Sequence, residues 1–498
     1  MNILGLHIGH DAAACLIKNN RLECMIEKER ISRVKHDRGY CDEMVDYVLG
    51  DMKVEELDAV VVSINPQDAH TIVAEKNGKK YMNGPREMEQ FDHEEFDIWI
   101  KGVKLPGYQV QHHISHIASG YYLSGFDSAQ GISYDASYWP EEQTSLKCAA
   151  KGNRIESAGT LHLNAGILYD KCTRALFGDW THAGKTMGLA GWGKTMNIPY
   201  AVKSIPETIA ISNYVIHGAS DREQIAATVQ MWLEKEVNRV LNQHALTSVP
   251  IIASGGTALN VVANRYYYNT GNDVFIPPYC TDAGIAVGGA LYVLHHIYNQ
   301  PREKYTSNQI AFLGKDNGAR FREDNLDQVV DALLSGDAVF WHQGRSEAGP
   351  RALTHRSIFG RPDSIEVKQH ISERIKGREG FRPVAPIVKS EACSKYFDVN
   401  PCHLTDFMLV NAKVLDDRLK GVTHVDGTAR VQTVSKEFNP TVWKLLDMME
   451  QATGIPVLIN TSLNVAGEPI CETHADSLNA FNRSRAGLLW LDGEIHKT

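Results

Sequence analysis

The sequence contains no apolar run near the roughly 20 residues that a membrane-spanning helix needs. Its first residues, MNILGLHIGHD, carry no basic segment ahead of the apolar ones. A cytoplasmic protein with no membrane partner is therefore expected. The nine cysteines are odd in number, scattered, and never spaced Cys-x-x-Cys, which argues against a disulfide framework and against a cysteine zinc site. Positive charge is short as well: 51 Lys and Arg face 60 Asp and Glu, for a formal charge of −9. The field that would hold a nucleic-acid backbone by counterion release is missing, and a nucleic-acid partner is disfavoured. No G-x-x-x-x-G-K-[ST], G-x-G-x-x-G or G-x-S-x-G motif occurs, and in GKTMG at 184–188 the place of the first Walker glycine is held by Asp179. What is present is an ordinary composition, 43% hydrophobic and 22% charged, over 498 residues, long enough for two or three domains.

The opening segment reads as strand, turn, strand, turn, strand: ILGLHIG, the polar turn HDAAA, ACLI, an Asn19-Asn20 turn, and RLECMIEKER. This is how a ribonuclease-H-like nucleotide domain presents its first phosphate loop. A second strand running into an acidic turn, GISYDASYW, points to a duplicated domain. VPIIASGGTALN places a buried strand before a Gly-Gly turn and a helix start. VFIPPYCTDAGIAVGGALYVLHHI follows the same design, with Ala283, Gly284, Ala286, Gly288, Gly289 and Ala290 allowing close approach of a helix or ligand. Residues 299–327 are polar and broken by Pro and Gly, the expected inter-domain connection. The polar stretch 64–105 carries no readable motif and is expected to be a lid or surface insertion.

Three segments carry chemistry. His112 and His116 have i,i+4 spacing, which on a helix turns both imidazoles to one face within reach of one divalent metal. Asp135 and Asp282, each just past an apolar strand, could complete a two-His, two-Asp set that suits an iron- or manganese-type ion better than structural zinc. The bland alternatives are clustered surface histidines and aspartates that only cap turns. In the second segment, Arg345 to Arg382, nine Lys or Arg stand against five Asp or Glu in an otherwise acidic chain. Arg345, Arg351, Arg356, Arg378 and Arg382 can fork onto phosphate or carboxylate oxygens, with Gly344, Gly349 and Gly377 letting backbone amides approach the same anion. A solvated charged face is the alternative, although Pro350 and Pro383 fix the backbone beside these arginines. Third are HVDGTARVQTV and the strand-end loop Asn460, Thr461, Ser462 and Asn464, which can close over a nucleotide or simply form Asx and Ser/Thr turns. Cys280, with no base tied to it by spacing, reads as a buried thiol.

Taken together, HDAAA, GRSEAGPRALTHRSI, KGREGFRPVAP, HVDGTARVQTV and NTSLNVAGEPI resemble the ATP-dependent O-carbamoyltransferase family of nodulation protein U, the cephem carbamoyltransferase and the tobramycin carbamoyltransferase. The resemblance covers nearly the whole chain. It implies an α/β fold: a duplicated ribonuclease-H-like (ASKHA) domain over 1–310 and a YrdC-like α/β domain over 325–498. The C-terminal part would make carbamoyl-adenylate from carbamoyl phosphate and Mg-ATP, and the N-terminal part would pass the carbamoyl group to a hydroxyl of a small acceptor, as in natural-product biosynthesis. Carried over residue by residue, His112, His116, Asp135 and Asp282 match the family's ligands to iron(II). His10 and Lys35 match catalytic positions by the adenylate, where a His could take the acceptor's proton. Asp11, Gly255, Gly256 and Asn260 match nucleotide-binding positions. Arg345, Arg351, Arg356, Lys376, Arg378, Arg382, Arg430, Thr461, Ser462 and Asn464 match the segments that bind carbamoyl phosphate and ATP.

The sequence departs from the family pattern in four places: Asp135-Ala136-Ser137 where Asp-Gly is usual, Ala183 where an acidic residue precedes Gly-Lys, Leu463 in place of Phe, and a less regular tail after Asp476. None removes a matched metal ligand or phosphate-facing arginine. Two alternatives stay open: carbamoylation of a hydroxymethyl nucleobase or nucleoside, and a nucleotide-binding protein whose catalysis has decayed. A homodimer is the default assembly for such an enzyme.

Overall fold

The computed structural model describes residues 1–63, 73–76, 79–81, 92–135, 145–161, 164–198, 205–243, 249–316 and 322–497. It is mixed α/β, organised around three larger sheets and one small one. The first sheet starts with β1 (Ile3–His7), β2 (Ala13–Lys18) and β3 (Arg21–Glu27), antiparallel in sequence. β4 (Ala59–Ser63) then joins β1 in parallel. The sheet is extended by β5 (Val73–Lys76), β6 (Lys79–Tyr81), β7 (His93–Ile100) and β8 (Val103–Val110), giving the order β3-β2-β1-β4-β8-β7-β5-β6.

The second sheet repeats the core of the first. β9 (Ser128–Tyr134), β10 (Ser145–Lys151) and β11 (Arg154–Thr160) are antiparallel, and β12 (Ile251–Ser254) and β13 (Val274–Phe275) add in parallel, in the order β11-β10-β9-β12-β13. Two antiparallel hairpins followed by parallel strands, twice over, are the duplicated ribonuclease-H-like topology. The hydrophobic pattern explains the placement. In β1 and β4 nearly every residue is apolar because both faces of the sheet are covered: Ile3, Ala59 and Val61 enter one core cluster, and Leu4, Leu6, Val60 and Val62 the other.

The C-terminal part is an α/β unit on a seven-stranded sheet. Its strands are β14 (Val339–His342), β15 (Arg356–Gly360), β16 (Ala385–Lys389), β19 (Gln432–Val434), β20 (Val457–Ser462), β21 (Leu488–Leu491) and β22 (Glu494–Lys497), in the order β19-β16-β20-β15-β14-β21-β22. The small pair β17 (Asn411–Lys413) and β18 (Thr428–Arg430) stands beside it. Trp341 and Trp490, on the paired strands β14 and β21, stack at 3.9 Å in its core.

Three sequence expectations change. The third strand stops at Glu27 and the chain turns into the short helix Lys28–Ser32, because Arg30 is drawn inward to pair with Glu27 at 3.1 Å. The stretch 64–105 is not simply an insertion: β5, β6, β7 and the start of β8 within it are strands of the first sheet, while residues 64–72, 77–78 and 82–91 lie outside the described ones. The polar connection 299–327 contains the helix Ser307–Ala311 with buried Ile310 and Ala311, and the Leu313 carbonyl accepts from the Met25 amide of β3.

The helices His112–Ser124 and Ala283–Tyr292 cross in direct contact between the two N-terminal sheets. Cys15 of β2 also donates to the Ala286 carbonyl of the second helix at 3.3 Å. A Cβ on Gly288 would lie 1.8 Å from the Ser115 carbonyl oxygen, so this crossing requires glycine. Gly288→Ala is expected to destabilise the fold by about 1–3 kcal/mol through overpacking of two buried backbones. Urea unfolding reads this out, and an unchanged midpoint would contradict the tight crossing.

Candidate active site

The helix crossing sets the first cluster of side chains. Gln111 caps the helix His112–Ser124 by accepting from the Ile114 amide, which fixes the first turn and with it His112 and His116 on one face. Asp135 directly follows β9, and Asp282 immediately precedes the helix Ala283–Tyr292. His116 Nε2 lies 3.4 Å from Asp135 Oδ2 and 3.3 Å from Asp282 Oδ1, and His112 Nε2 lies 3.5 Å and 3.9 Å from the same two oxygens. One ligand atom from each of the four residues lies within 4.8 Å of the others. The matched acidic turn continues into Ala136 and Ser137, which lie outside the described residues.

These residues fit a divalent ion. His116 has no solvent exposure, and its Nε2 has no hydrogen-bond partner among the described residues. Bonds of about 2.1 Å at tetrahedral angles would separate ligand atoms by about 3.4 Å, close to the spacings observed. On its other edge the His116 ring meets Ser254 Oγ at 3.4 Å, which orients it. His113, one position off this face, is instead buried against Ser133 Oγ at 2.9 Å and serves the fold.

His10 borders the cluster, with Nε2 3.3 Å from Asp282 and Nδ1 3.5 Å from Asp11. Burial alone would lower its pKa, but Asp282 and Asp11 together raise it to about 10. Asp11 is held in the left-handed region at φ 57° and also meets His36 Nδ1 at 2.5 Å. Two supporting residues escaped the sequence reading. His7, on β1, reaches within 3.8 Å of Asp282, and Trp180 stands edge-on over His10 with ring centroids 4.7 Å apart. The inward alternation of β1 could have found His7. No local pattern marks Trp180.

Gly255 is at φ 97°, and a Cβ there would meet the Tyr134 carbonyl at 2.2 Å, so the Gly255-Gly256 turn lies against the start of the Asp135 loop. Asn260 does not join it. Its side chain caps the helix Val261–Asn269 and pairs with Gln230 in both directions, which accounts for its burial without a nucleoside.

The second cluster is cationic and draws its members from both parts of the chain. Lys376 is buried and donates to Ser462 Oγ at 2.9 Å and to Asn464, and Arg378 donates to Thr461 at 3.2 Å. Burial, reinforced by Arg378 and Lys35, holds the Lys376 ammonium well below its usual pKa. Burial with Arg382 and Arg351 presses Arg378 to about 9. Arg430 is depressed by burial and by Arg351, Arg378 and Arg382. Lys35 is lowered by burial and by Arg378, Arg382 and Lys185, so its charge environment is this cluster and not His10. The Nε atoms of Arg351 and Arg430 are buried with no hydrogen-bond partner among the described residues.

Arg356 and Arg345 serve other ends. All five N–H groups of Arg356 go to the carbonyls of Gln343, Gly344, His355 and Glu472, leaving none for an anion. Arg345 donates to Gly314 O at 2.7 Å and to the Glu23 carbonyl, tying its loop to β3. Cys280, two residues before Asp282, is buried, and burial pushes its thiol up to about 12. It is the inert buried thiol the sequence suggested.

With this geometry established, comparison with known proteins decides the family. The family description Carbamoyltransferase N-terminus matches residues 2–210 and 196–291, and Carbamoyltransferase C-terminus matches residues 330–497. The chain belongs to the carbamoyltransferase family. This carbamoyltransferase is 29% identical to an uncharacterized protein of Synechocystis, over 98% of this chain and 95% of that one. It is 26% identical to nodulation protein U of Sinorhizobium fredii, over 100% and 99%. It is 31% identical to the 3'-hydroxymethylcephem-O-carbamoyltransferase of Amycolatopsis lactamdurans, over 59% and 61%. Among solved structures, an activator of the 2-hydroxyisocaproyl-CoA dehydratase from Clostridium difficile overlaps 60% of this chain and 96% of its own, at 12% identity and a TM-score of 0.36, too loosely to bear on function. Among the described residues no helix is long and apolar enough to cross a membrane.

A buried ammonium pressed down by burial and like charges regains its proton when an anion arrives. Inorganic pyrophosphate binding is therefore expected to be coupled to proton uptake, which grows as the pH is raised. Calorimetry in buffers of different ionisation heat measures the uptake. It should shrink in Lys376→Met, and binding with no buffer dependence would refute the assignment.

Proposed function

We propose that this carbamoyltransferase converts carbamoyl phosphate, ATP and water to carbamoyl-adenylate, phosphate and pyrophosphate, and then transfers the carbamoyl group to a hydroxyl of a small acceptor. In the second step the acceptor oxygen bonds to the carbonyl carbon, the acceptor loses its proton, and AMP leaves with the electrons of the broken C–O bond. The observation that carries this reading is the cationic cluster with two orphaned guanidinium Nε atoms, on a loop that packs at Gly349 against Pro278, four residues before Asp282 of the His/Asp cluster. Two polyanions must be held together against their repulsion, and Arg351, Arg378, Arg382 and Arg430 offer forked donors for their oxygens. Lys376 is oriented by Ser462 and Asn464, and Lys35 brings a cation from the N-terminal part to the same anions.

A divalent ion of the iron(II) or manganese class, held by His112, His116, Asp135 and Asp282, would supply Lewis acidity toward a carbonyl or phosphoryl oxygen. His10, held between Asp282 and Asp11, is placed to exchange a proton with the acceptor hydroxyl or with the departing AMP. Trp180 over His10 limits water at that edge. Asp11 positions His10 and His36, and the Gly255-Gly256 turn shapes the wall beside Asp135. The positions of the two clusters support dividing the chain into a donor-activating part over 325–498 and a transferring part over 1–310, although Lys35 crosses it.

Pyrophosphate release from ATP is expected only when carbamoyl phosphate is present. Arg351→Ala should lower that release about 100-fold or more, since an oriented charged donor is worth roughly 3 kcal/mol in the transition state. His112→Ala should retain it while abolishing transfer to the acceptor. Folded protein that never releases pyrophosphate defeats the mechanism, and two variants failing at the same step defeat the division of labour.

A further inference from the structure

A second group of metal-competent side chains lies away from the His/Asp cluster, in the C-terminal sheet: His342 at the end of β14, His474 at the start of the helix His474–Arg483, and Asp492 in the turn between β21 and β22. One ligand atom from each comes within 4.8 Å of the others. His342 is fully buried, and its Nδ1 is engaged by Ser477 Oγ at 2.7 Å. That contact fixes the ring and turns Nε2 toward the group, and Nε2 has no hydrogen-bond partner among the described residues. A buried imidazole nitrogen left unpaired is costly unless something fills its lone-pair direction. His474 Nε2 and Asp492 Oδ2 are 2.7 Å apart, and the His342 and His474 rings are 4.6 Å apart.

We propose that His342, His474 and Asp492 bind a divalent first-row metal ion of the zinc class, and that this ion fastens the start of the arginine-bearing loop. The donor set is two imidazoles and one carboxylate, the mixture that borderline ions prefer, and three protein ligands leave a position for water beside the half-exposed His474. The supporting contacts are those a metal site needs. Ser477 orients His342, and the Gly344 amide donates to the second carboxylate oxygen of Asp492 at 2.7 Å. The Thr473 capping box, with Asp476 accepting from the Thr473 amide, sets the helix turn that presents His474. Gly344 is where the chain leaves β14 for Arg345, Arg351 and Arg356, so an ion on Asp492 is one bond removed from the loop that forms the cationic cluster. Binding exchanges the His474–Asp492 hydrogen bond for two metal–ligand bonds and occupies His342 Nε2.

This proposal is independent of the catalytic reading, and its test keeps them apart. Chelator-treated full-length protein is titrated with zinc chloride, with uptake counted and the thermal midpoint followed. The His116→Ala variant, in which the first cluster is broken, should still bind one equivalent and gain several degrees in midpoint. Adding His474→Ala, a half-exposed position whose loss leaves the core intact, should abolish both effects while circular dichroism stays unchanged. A folded His116→Ala protein that takes up no zinc overturns the proposal. So does uptake that survives in the double variant. If the wild-type protein binds only one equivalent and His116→Ala retains it, the first cluster fails as a zinc-binding site while this one stands.

Discussion

The close crossing of the helices His112–Ser124 and Ala283–Tyr292 is the constraint on which the N-terminal site depends. Where Gly288 meets the Ser115 carbonyl there is no room for a side chain. The approach brings the first turn of one helix, carrying His112 and His116, to the first turn of the other, preceded by Asp282. Each sheet supplies a rigid floor, and the strand–turn design used twice places Asp11 after β1 and Asp135 after β9. Small residues in the second helix are therefore not a ligand cradle. They serve the backbone approach that makes a four-ligand cluster geometrically available.

A second consequence follows at the contact between the two parts of the chain. The loop after β14 returns over the segment that leads into Asp282: a Cβ on Gly349 would lie 2.5 Å from the Pro278 carbonyl. The Gly349 amide donates to Glu27 at 2.6 Å, and its carbonyl accepts from Arg30 at 2.8 Å. Arg351, two residues on, is thereby set beside Cys280. The loop that carries these arginines therefore packs against the segment that leads into the His/Asp cluster. Lys185 on Glu379 at 2.8 Å and the Gly188 carbonyl on His424 at 3.0 Å make a further bridge between the same two parts.

Much of this was legible in the sequence, and for definite reasons. The hairpin of β1 and β2, the helix starting at His112 and the i,i+4 pair follow from local periodicity and spacing. That Asp135 and Asp282 join that pair needed a tertiary contact, so the residues alone could suggest it only as neighbouring strand ends. Asn260 entered through the family resemblance, and in the structure its side chain is engaged in capping the next helix and in pairing with Gln230. His342, His474 and Asp492 are separated by more than 100 residues at the widest step and leave no spacing signal at all.

The arginines show where a local charge count stops being informative. Arg345, Arg351, Arg356, Arg378 and Arg382 are equivalent in a count of charge, yet they divide by what surrounds each guanidinium. Arg356, starting a central strand, spends all five N–H groups on four backbone carbonyls, and its charge is consumed in closing the loop. The Nε atoms of Arg351 and Arg430 are buried near other cations with no partner among the described residues, a cost that a bound anion would offset. Stability alone would have replaced such residues by apolar ones of similar volume. Their presence beside Lys376, in a segment of excess positive charge within an acidic chain, is what the proposed phosphate site would require.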